Sequence, residues 1–212
     1  MEKTAIILAG GFSSRFGSDK GLLKIENKPL ILHVVDSVSS IVEEILIITN
    51  SEKRIETYSK EVLNSKVKFT LDLYNGIGPL AGALSGFSYA KGKYSLLIPF
   101  DAPFMSKKIL LLLFILCKNK SAVIPKWPNN HIEPLHAVYN TKEAYIAAKN
   151  SIAQHETKVR AIIQRLNNVQ YISTEFIQKY DSNLQTFLNI NTPSDLTKAK
   201  KFFLKHLTLV SD

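Results

Sequence analysis

Short runs of β-branched and aliphatic residues alternate along the chain with longer segments in which apolar positions recur at helical spacing. Strands are predicted at about Thr4–Leu8, Ile45–Thr49, Val67–Leu71 and Ser95–Ile98, and then at Ala122–Pro125 and Leu135–Tyr139. The clearest helices between and after them fall at Pro29–Ser39, Pro79–Tyr89, Lys107–Cys117, Lys142–Asn150 and Pro193–His206. Pro29, Pro79 and Pro193 suit a first helical turn, where the missing N–H has no helical partner to lose. This alternation is that of βαβ units, so the expected fold is α/β, a Rossmann-like three-layer αβα arrangement around a mainly parallel sheet.

No internal repeat and no low-complexity linker interrupts the pattern, which favours one domain over residues 1–212. Signals weaken between Trp127 and Asn191 relative to the first hundred residues. With 45% hydrophobic and 21% charged residues the chain matches ordinary globular proteins and excludes a disordered one. The longest apolar run, Ile109 to Cys117, is flanked by Lys107, Lys108 and Lys118. It is about half the ~20 residues of a membrane span and reads as a buried helix. The N-terminal stretch lacks the length and cleavage pattern of a signal peptide, so a cytoplasmic location is expected.

Cys117 is the only cysteine, which excludes an intrachain disulfide and a Cys-rich zinc site. With no activating His or Lys close in sequence, it is expected in the core. His131 and His136 are too isolated for a metal pair and are each expected to be satisfied or exposed. The net charge of +9 favours polyanionic partners, and charge alone does not choose between nucleic acid and phosphorylated small molecules. The basic residues are dispersed, with no aromatic RNA-binding signature beside them, and Lys198, Lys200, Lys201 and Lys205 fit the wet face of a helix.

The chemistry concentrates after the first strand, in Leu8-Ala9-Gly10-Gly11-Phe12-Ser13-Ser14-Arg15-Phe16-Gly17-Ser18-Asp19-Lys20. A strand ending in two glycines, followed by Ser, Arg and Lys, can turn backbone N–H groups toward phosphates while cations neutralise them. Neither a Walker A loop nor a G-x-G-x-x-G fingerprint is present. Asp72 and Asp101 each follow a predicted strand, where open α/β sheets bind ligands, and both also fit ordinary turns.

The string resembles the L-A-G-G-x-S-x-R-M-G-x-D-K signature of the molybdenum cofactor guanylyltransferases, with Phe16 where Met is usual. Gly21-Leu22-Leu23, Gly78-Pro79-Leu80-Ala81-Gly82, Pro99-Phe100-Asp101-Ala102-Pro103-Phe104 and Asn189-Ile190-Asn191-Thr192-Pro193 extend the likeness, in order, from residue 4 to about 200. Phe100 stands where Cys is frequent, and Ile48 where some members have an Asn near the nucleotide. The resemblance implies a nucleotidyltransferase fold of the glycosyltransferase A-like type. It also implies a nucleotide-binding part at about 1–105 and an acceptor-binding part at about 106–212.

By the same resemblance Leu8, Ala9, Gly10 and Gly11 lie against the nucleotide, Lys20 and Arg15 contact its phosphates, Asp72 contacts the nucleotide, and Asp101 holds Mg²⁺. Lys20 is expected on a solvent-facing loop and Asp101 in a solvated cleft. Asn189 and Asn191 read first as a strand end before a helix capped by Thr192, and by resemblance as acceptor-binding residues. The implied reaction is GMP transfer from GTP to the terminal phosphate of molybdopterin or its molybdenum-bearing form. A protein that hands over the cofactor transiently fits that role, while nucleic acid and membrane are not expected partners. The residues leave open a CTP-dependent transferase acting on the same or another phosphorylated acceptor. They also leave open a nucleotide sensor without activity on the same fold.

Overall fold

The computed structural model describes residues 1–10, 16, 19–74 and 77–208, with side chains to residue 203. In chain order its elements begin with β1 (Lys3–Leu8), a 3-10 turn at Lys20–Leu22, β2 (Lys24–Ile25), β3 (Lys28–Pro29), α1 (Leu30–Ser39), β4 (Glu44–Thr49) and α2 (Glu52–Glu61). They continue with β5 (Val67–Leu71), α3 (Pro79–Tyr89), β6 (Tyr94–Pro99), α4 (Lys107–Leu116), β7 (Ala122–Lys126), β8 (Ala137–Asn140) and α5 (Thr141–Ala153). The last are α6 (Arg160–Ile163), β9 (Val169–Ser173), α7 (Thr174–Gln178), a 3-10 turn at Gln185–Phe187 and α8 (Pro193–Thr208).

Seven strands form one sheet in the order β5-β4-β1-β6-β8-β7-β9. Strand β8 runs antiparallel to both β6 and β7, and the other neighbouring pairs are parallel. The expected mainly parallel α/β sheet is therefore present. Its central strands β1, β4 and β6 bury both faces. Ala5 and Ile7 of β1, Ile45 and Ile47 of β4, and Leu96 and Ile98 of β6 join the core under α1 and α4. Their alternates Ile6, Leu46, Ile48 and Leu97 join the core under α3, α5 and α6. Successive side chains point to opposite faces, so a strand covered twice reads as an unbroken apolar run.

Helix α3 is apolar on nearly all sides because it lies between the sheet and α5. Gly86 is required there, since a Cβ at that position would collide with the Ile6 side chain. A Cβ at Gly82 would press on Leu8 at 3.3 Å, so the small residues of this helix let it close on β1. A third, smaller core joins Ile25, Leu30, Ile190 and Ala199, which seats α8 on the β2–β3 hairpin.

Several boundaries differ from expectation. Pro29 ends β3 and flanks α1 as its N-cap, so the helix starts at Leu30. The strand expected at Leu135 begins at Ala137. Thr192 caps α8 as expected: its Oγ1 accepts from the Asp195 N–H at 3.2 Å, while the Asp195 carboxylate accepts from the N–H groups of Asn191 and Thr192. Cys117 is buried, and burial pushes its thiol up to about 12, which suits a core residue. Among the described residues no helix is long and apolar enough to cross a membrane.

Candidate active site at the carboxyl ends of the strands

The sheet brings four of the expected segments to one rim. Hydrogen bonds from Ala9 N–H to the Ile48 carbonyl (2.8 Å), from Asp72 N–H to Thr49 (2.7 Å) and from Phe100 N–H to Leu8 (3.2 Å) extend the ladder past the last residues of β1, β5 and β6. They place Asp72, Asn50, Ala9 and Asp101 in that order along the carboxyl edge. Open α/β sheets receive ligands at this edge.

Lys20 and Asp101 meet there. The Lys20 ammonium donates to the Asp101 carboxylate and, at 3.0 Å, to Asn191 Oδ1. It also stands 5.6 Å from the centroid of the Phe100 ring. Both ionic side chains are largely buried, at 10% and 12% exposure. This corrects the expectation of a solvent-facing lysine opposite a carboxylate in open solvent. The 3-10 turn carries Lys20 inward, and a buried charge is retained there because its counter-charge is beside it. Asn191 comes within reach because the Ile190 N–H donates to the Asp101 carbonyl at 2.9 Å, pinning the stretch before α8 against the end of β6. Asn189 lies two residues earlier, and its Oδ1 is buried without a hydrogen-bond partner.

Leu8 ends β1 and Ala9 follows it, fully buried. Gly10 follows, and a Cβ there would make only ordinary contact with Asn50, at 3.7 Å. Among the described residues, packing does not impose glycine at that position. Gly11 and Arg15 lie outside the described residues. The Asp72 carboxylate is held by its own neighbourhood: Oδ1 accepts from Ser85 Oγ and from the Tyr74 N–H, each at 3.0 Å. Ile48 faces the core of the α3 side. The asparagine at the end of β4 is Asn50, two residues on, and its Oδ1 accepts from Arg54 at 3.0 Å.

Arg54 and Tyr58 carry no signal in the sequence, and they meet at this rim on Asp19, a residue of the signature to which the resemblance attaches no role. Arg54 Nε donates to Asp19 Oδ2 at 3.0 Å, and Tyr58 donates to Asp19 Oδ1 at 2.6 Å. The alternating signal that marks strand ends carries no information about such links from α2.

Toward β7 and β8, His131 is exposed, whereas His136 is 1% exposed and neither of its ring nitrogens has a hydrogen-bond partner. The latter departs from the expectation of a satisfied histidine. Its Nδ1 is 3.7 Å from Glu133 Oε2, and the Phe187 ring packs edge-on against it. Burial alone would raise the Glu133 carboxyl; His136 and the Trp127 indole N–H outweigh burial and hold it below the usual carboxylate range.

The MobA-like NTP transferase domain family matches residues 5–169. A protein of Bacillus mycoides described as a probable molybdenum cofactor guanylyltransferase is 32% identical over 204 residues, covering 95% of this chain and 98% of its own. A protein of the same description from Methanosarcina mazei is 30% identical over 198 residues, covering 92% and 88%. The crystal structure of molybdopterin-guanine dinucleotide biosynthesis protein A from Archaeoglobus fulgidus superposes with a TM-score of 0.80 at 30% identity, over 96% of this chain and 99% of that one.

Proposed function

Because this chain belongs to the MobA-like NTP transferase family, we propose that it transfers GMP from GTP to the terminal phosphate of molybdopterin or its molybdenum-bearing form. The observation that carries this reading is the meeting of Lys20, Asp101 and Asn191 at the carboxyl edge of β1 and β6. A cation, a carboxylate and an amide from three distant parts of the sequence converge where such sheets bind nucleotides. The relatives described as probable molybdenum cofactor guanylyltransferases supply the choice of a guanylyl donor and of the acceptor.

An oxygen of the acceptor's terminal phosphate attacks the α-phosphorus of GTP. A new P–O bond forms as the bond from that phosphorus to the bridging oxygen breaks, and its electron pair leaves with pyrophosphate. The attacking phosphate is already anionic at neutral pH, so the protein supplies alignment and neutralisation and needs no nucleophile of its own. Leu8, Ala9 and Gly10 form the seat for the nucleoside, and among the described residues only Asn50 comes near a Cβ at position 10, which fits a backbone kept bare for a ligand. Lys20 neutralises triphosphate charge, together with Arg15, and Asp72 contacts the nucleotide. Asn189 and Asn191 face the acceptor, which makes residues of about 106–212 the acceptor side.

The residues fit Mg²⁺. Asp101 offers hard oxygen donors, and this ion characteristically takes one or two carboxylates and completes its shell with water and substrate phosphates. When bound, the ion withdraws charge from the α-phosphate and the departing pyrophosphate. In the free protein Lys20 and Asp101 neutralise each other. With a nucleoside triphosphate in place, Asp101 would be the residue to hold the ion, and the Lys20 ammonium would turn from the carboxylate to phosphate.

Pyrophosphate release, measured with each of the four nucleoside triphosphates with and without molybdopterin cofactor, tests the reading. Release with GTP and cofactor together is expected. Preference for CTP, or binding without turnover, would reject it in favour of a cytidylyltransferase or a sensor.

A further inference from the structure

We propose that Arg54 of α2, assisted by Tyr58, is a positioning residue for the nucleoside triphosphate, holding Ala9 on one side of the signature segment and Asp19 on the other in a fixed relation. The inference rests on the nucleotidyltransferase reading and adds to it a residue outside the signature.

Among the described residues, the Arg54 side chain donates hydrogen bonds to three separate segments. Its Nη1 reaches the Ala9 carbonyl at 3.1 Å and Asn50 Oδ1 at 3.0 Å, and its Nε reaches Asp19 Oδ2 at 3.0 Å. A guanidinium presents a rigid planar fork of donors, so one side chain fixes several acceptors relative to one another. The fork itself is held. Arg54 stands in the first turn of α2, where its N–H donates to the capping Ser51 Oγ at 3.4 Å, and its side chain is 16% exposed.

Asp19 is fixed from a second direction. Its Oδ1 accepts from the Tyr58 hydroxyl at 2.6 Å and from the Gly21 N–H at 2.9 Å. Tyr58 is fully buried, and burial together with the Asp19 carboxylate pushes its phenol far above the ordinary range, so it remains a donor. Gly21 lies so close to the Tyr58 hydroxyl that any Cβ would collide with it. The backbone of the 3-10 turn is thereby held against α2, and Lys20 lies within that turn between Asp19 and Gly21.

The consequence concerns both ends of the bound nucleotide. Ala9 belongs to the seat proposed for the nucleoside, and Lys20 to the group proposed for the phosphates. Arg54 links the first directly and the second through Asp19, so losing it lets the seat and the ammonium drift relative to each other. Misplacement of about 1 Å in such a site is costly. The acceptor side lies on α8 and the segment before it, which is held by the Asp101 carbonyl and the Asp195 carboxylate.

The test titrates a GTP analogue with a non-hydrolysable α–β bridge, with Mg²⁺, into wild-type protein, Arg54→Ala, Arg54→Lys and Tyr58→Phe. Turnover is measured beside it as separate KM values for GTP and for the acceptor, together with thermal melts. Arg54→Ala should weaken analogue binding about tenfold or more and raise the KM for GTP while leaving that for the acceptor unchanged. Arg54→Lys restores charge without the fork and should recover part of the loss. Tyr58→Phe removes a single hydroxyl and should weaken binding about twofold to tenfold; it carries the test if Arg54→Ala fails to fold. Unchanged analogue affinity, or an equal loss for both substrates in step with a lower melting temperature, overturns the inference and leaves the enzymatic reading standing. Wild-type protein that binds neither the analogue nor any natural triphosphate sinks both.

Discussion

The two rims of the sheet each bury a carboxylate beside a lysine, and they do it by opposite means. At the amino end, Glu44 opens β4 at 2% exposure. Its Oε2 accepts from Thr4 Oγ1 at 3.0 Å and from the Lys91 N–H at 2.9 Å, and Lys68 covers Oε1 at 2.9 Å with a side chain that is 53% exposed. At the carboxyl end, Asp101 takes its charge partner from the tip of Lys20, a long side chain buried along with it. The first carboxylate is tied to a backbone amide and a short hydroxyl that cannot leave; the second is tied to an ammonium that can rotate away. On the function proposed above, burial of charge serves stability at one rim and exchangeable neutralisation at the other.

Asp101→Asn should break that contrast most sharply. The variant keeps the shape and loses the charge assigned to Mg²⁺, so turnover with GTP and cofactor should fall about a hundredfold or more, the equivalent of several kcal/mol. From the sequence, a carboxylate in an open cleft would be expected to cost stability, and its removal to raise the melting temperature slightly. The buried pair reverses that sign: the Lys20 ammonium loses its counter-charge, and the variant should melt lower, by about 1–3 kcal/mol of stability. Pyrophosphate release at limiting Mg²⁺ and a thermal melt read the two effects separately. Normal turnover would remove the metal assignment, and loss of activity through unfolding alone would make Asp101 a structural turn residue.

Lys20→Ala should act in the same place with a smaller effect. A charged hydrogen bond of this kind contributes roughly 1.5–3 kcal/mol, so catalytic efficiency should fall about tenfold or more. Because the two residues share one charge balance, the double variant Lys20→Ala/Asp101→Asn should lose less than the product of the single losses. Independent multiplication of the two effects in steady-state kinetics would show that they act at separate points.

Much of the rim was legible before the fold. Unbroken apolar runs located β1, β4 and β6, an alternating one located β5, and their ends located Ala9, Asp72 and Asp101. Other parts carry no such signal. Helix α2 buries only Tyr58, so no apolar stripe announces it. The β2–β3 hairpin turns through Glu26 and Asn27, both with positive φ, and has no glycine where one would mark such a turn. Strand β9 lies at the sheet edge in the stretch of weakest patterning. Lys20 and Asp101 are 81 residues apart, and the direction of a long flexible side chain is a tertiary fact. The resemblance matched Ile48 to an asparagine position, whereas the chain brings Asn50 to the rim at the end of β4.

At the amino rim, Glu44→Gln should separate stability from activity. The amide keeps the size but loses the charge that faces Lys68, and its NH₂ cannot accept from the Thr4 hydroxyl and the Lys91 N–H. A loss of about 1–2 kcal/mol is expected in urea unfolding, with kcat and KM of the folded protein at wild-type values. A comparable fall in turnover would mean that the two rims are coupled through β4 and β1, and the contrast between them would fail.

The smallest effect is the pH dependence of that loss, and its sign follows from the partners. Burial alone would raise the Glu44 carboxyl, but Lys68, the Lys91 N–H and Thr4 together outweigh burial and hold it below the usual carboxylate range. A group depressed in this way binds its proton more weakly in the folded chain than in the unfolded one. Its contribution is fully present above the unfolded carboxylate value and disappears as the pH falls through the lower folded value. Glutamine at position 44 does not titrate. The stability difference between wild type and Glu44→Gln should therefore be constant near neutrality and shrink on acidification through and below the ordinary carboxylate range. Glu43, Glu133 and Asp195 are also held low, but they are common to both proteins, so the difference between paired urea titrations isolates Glu44. A gap that stays constant through the acid range would mean that Glu44 acts there by shape alone, and one that widens would mean that its folded carboxyl is raised.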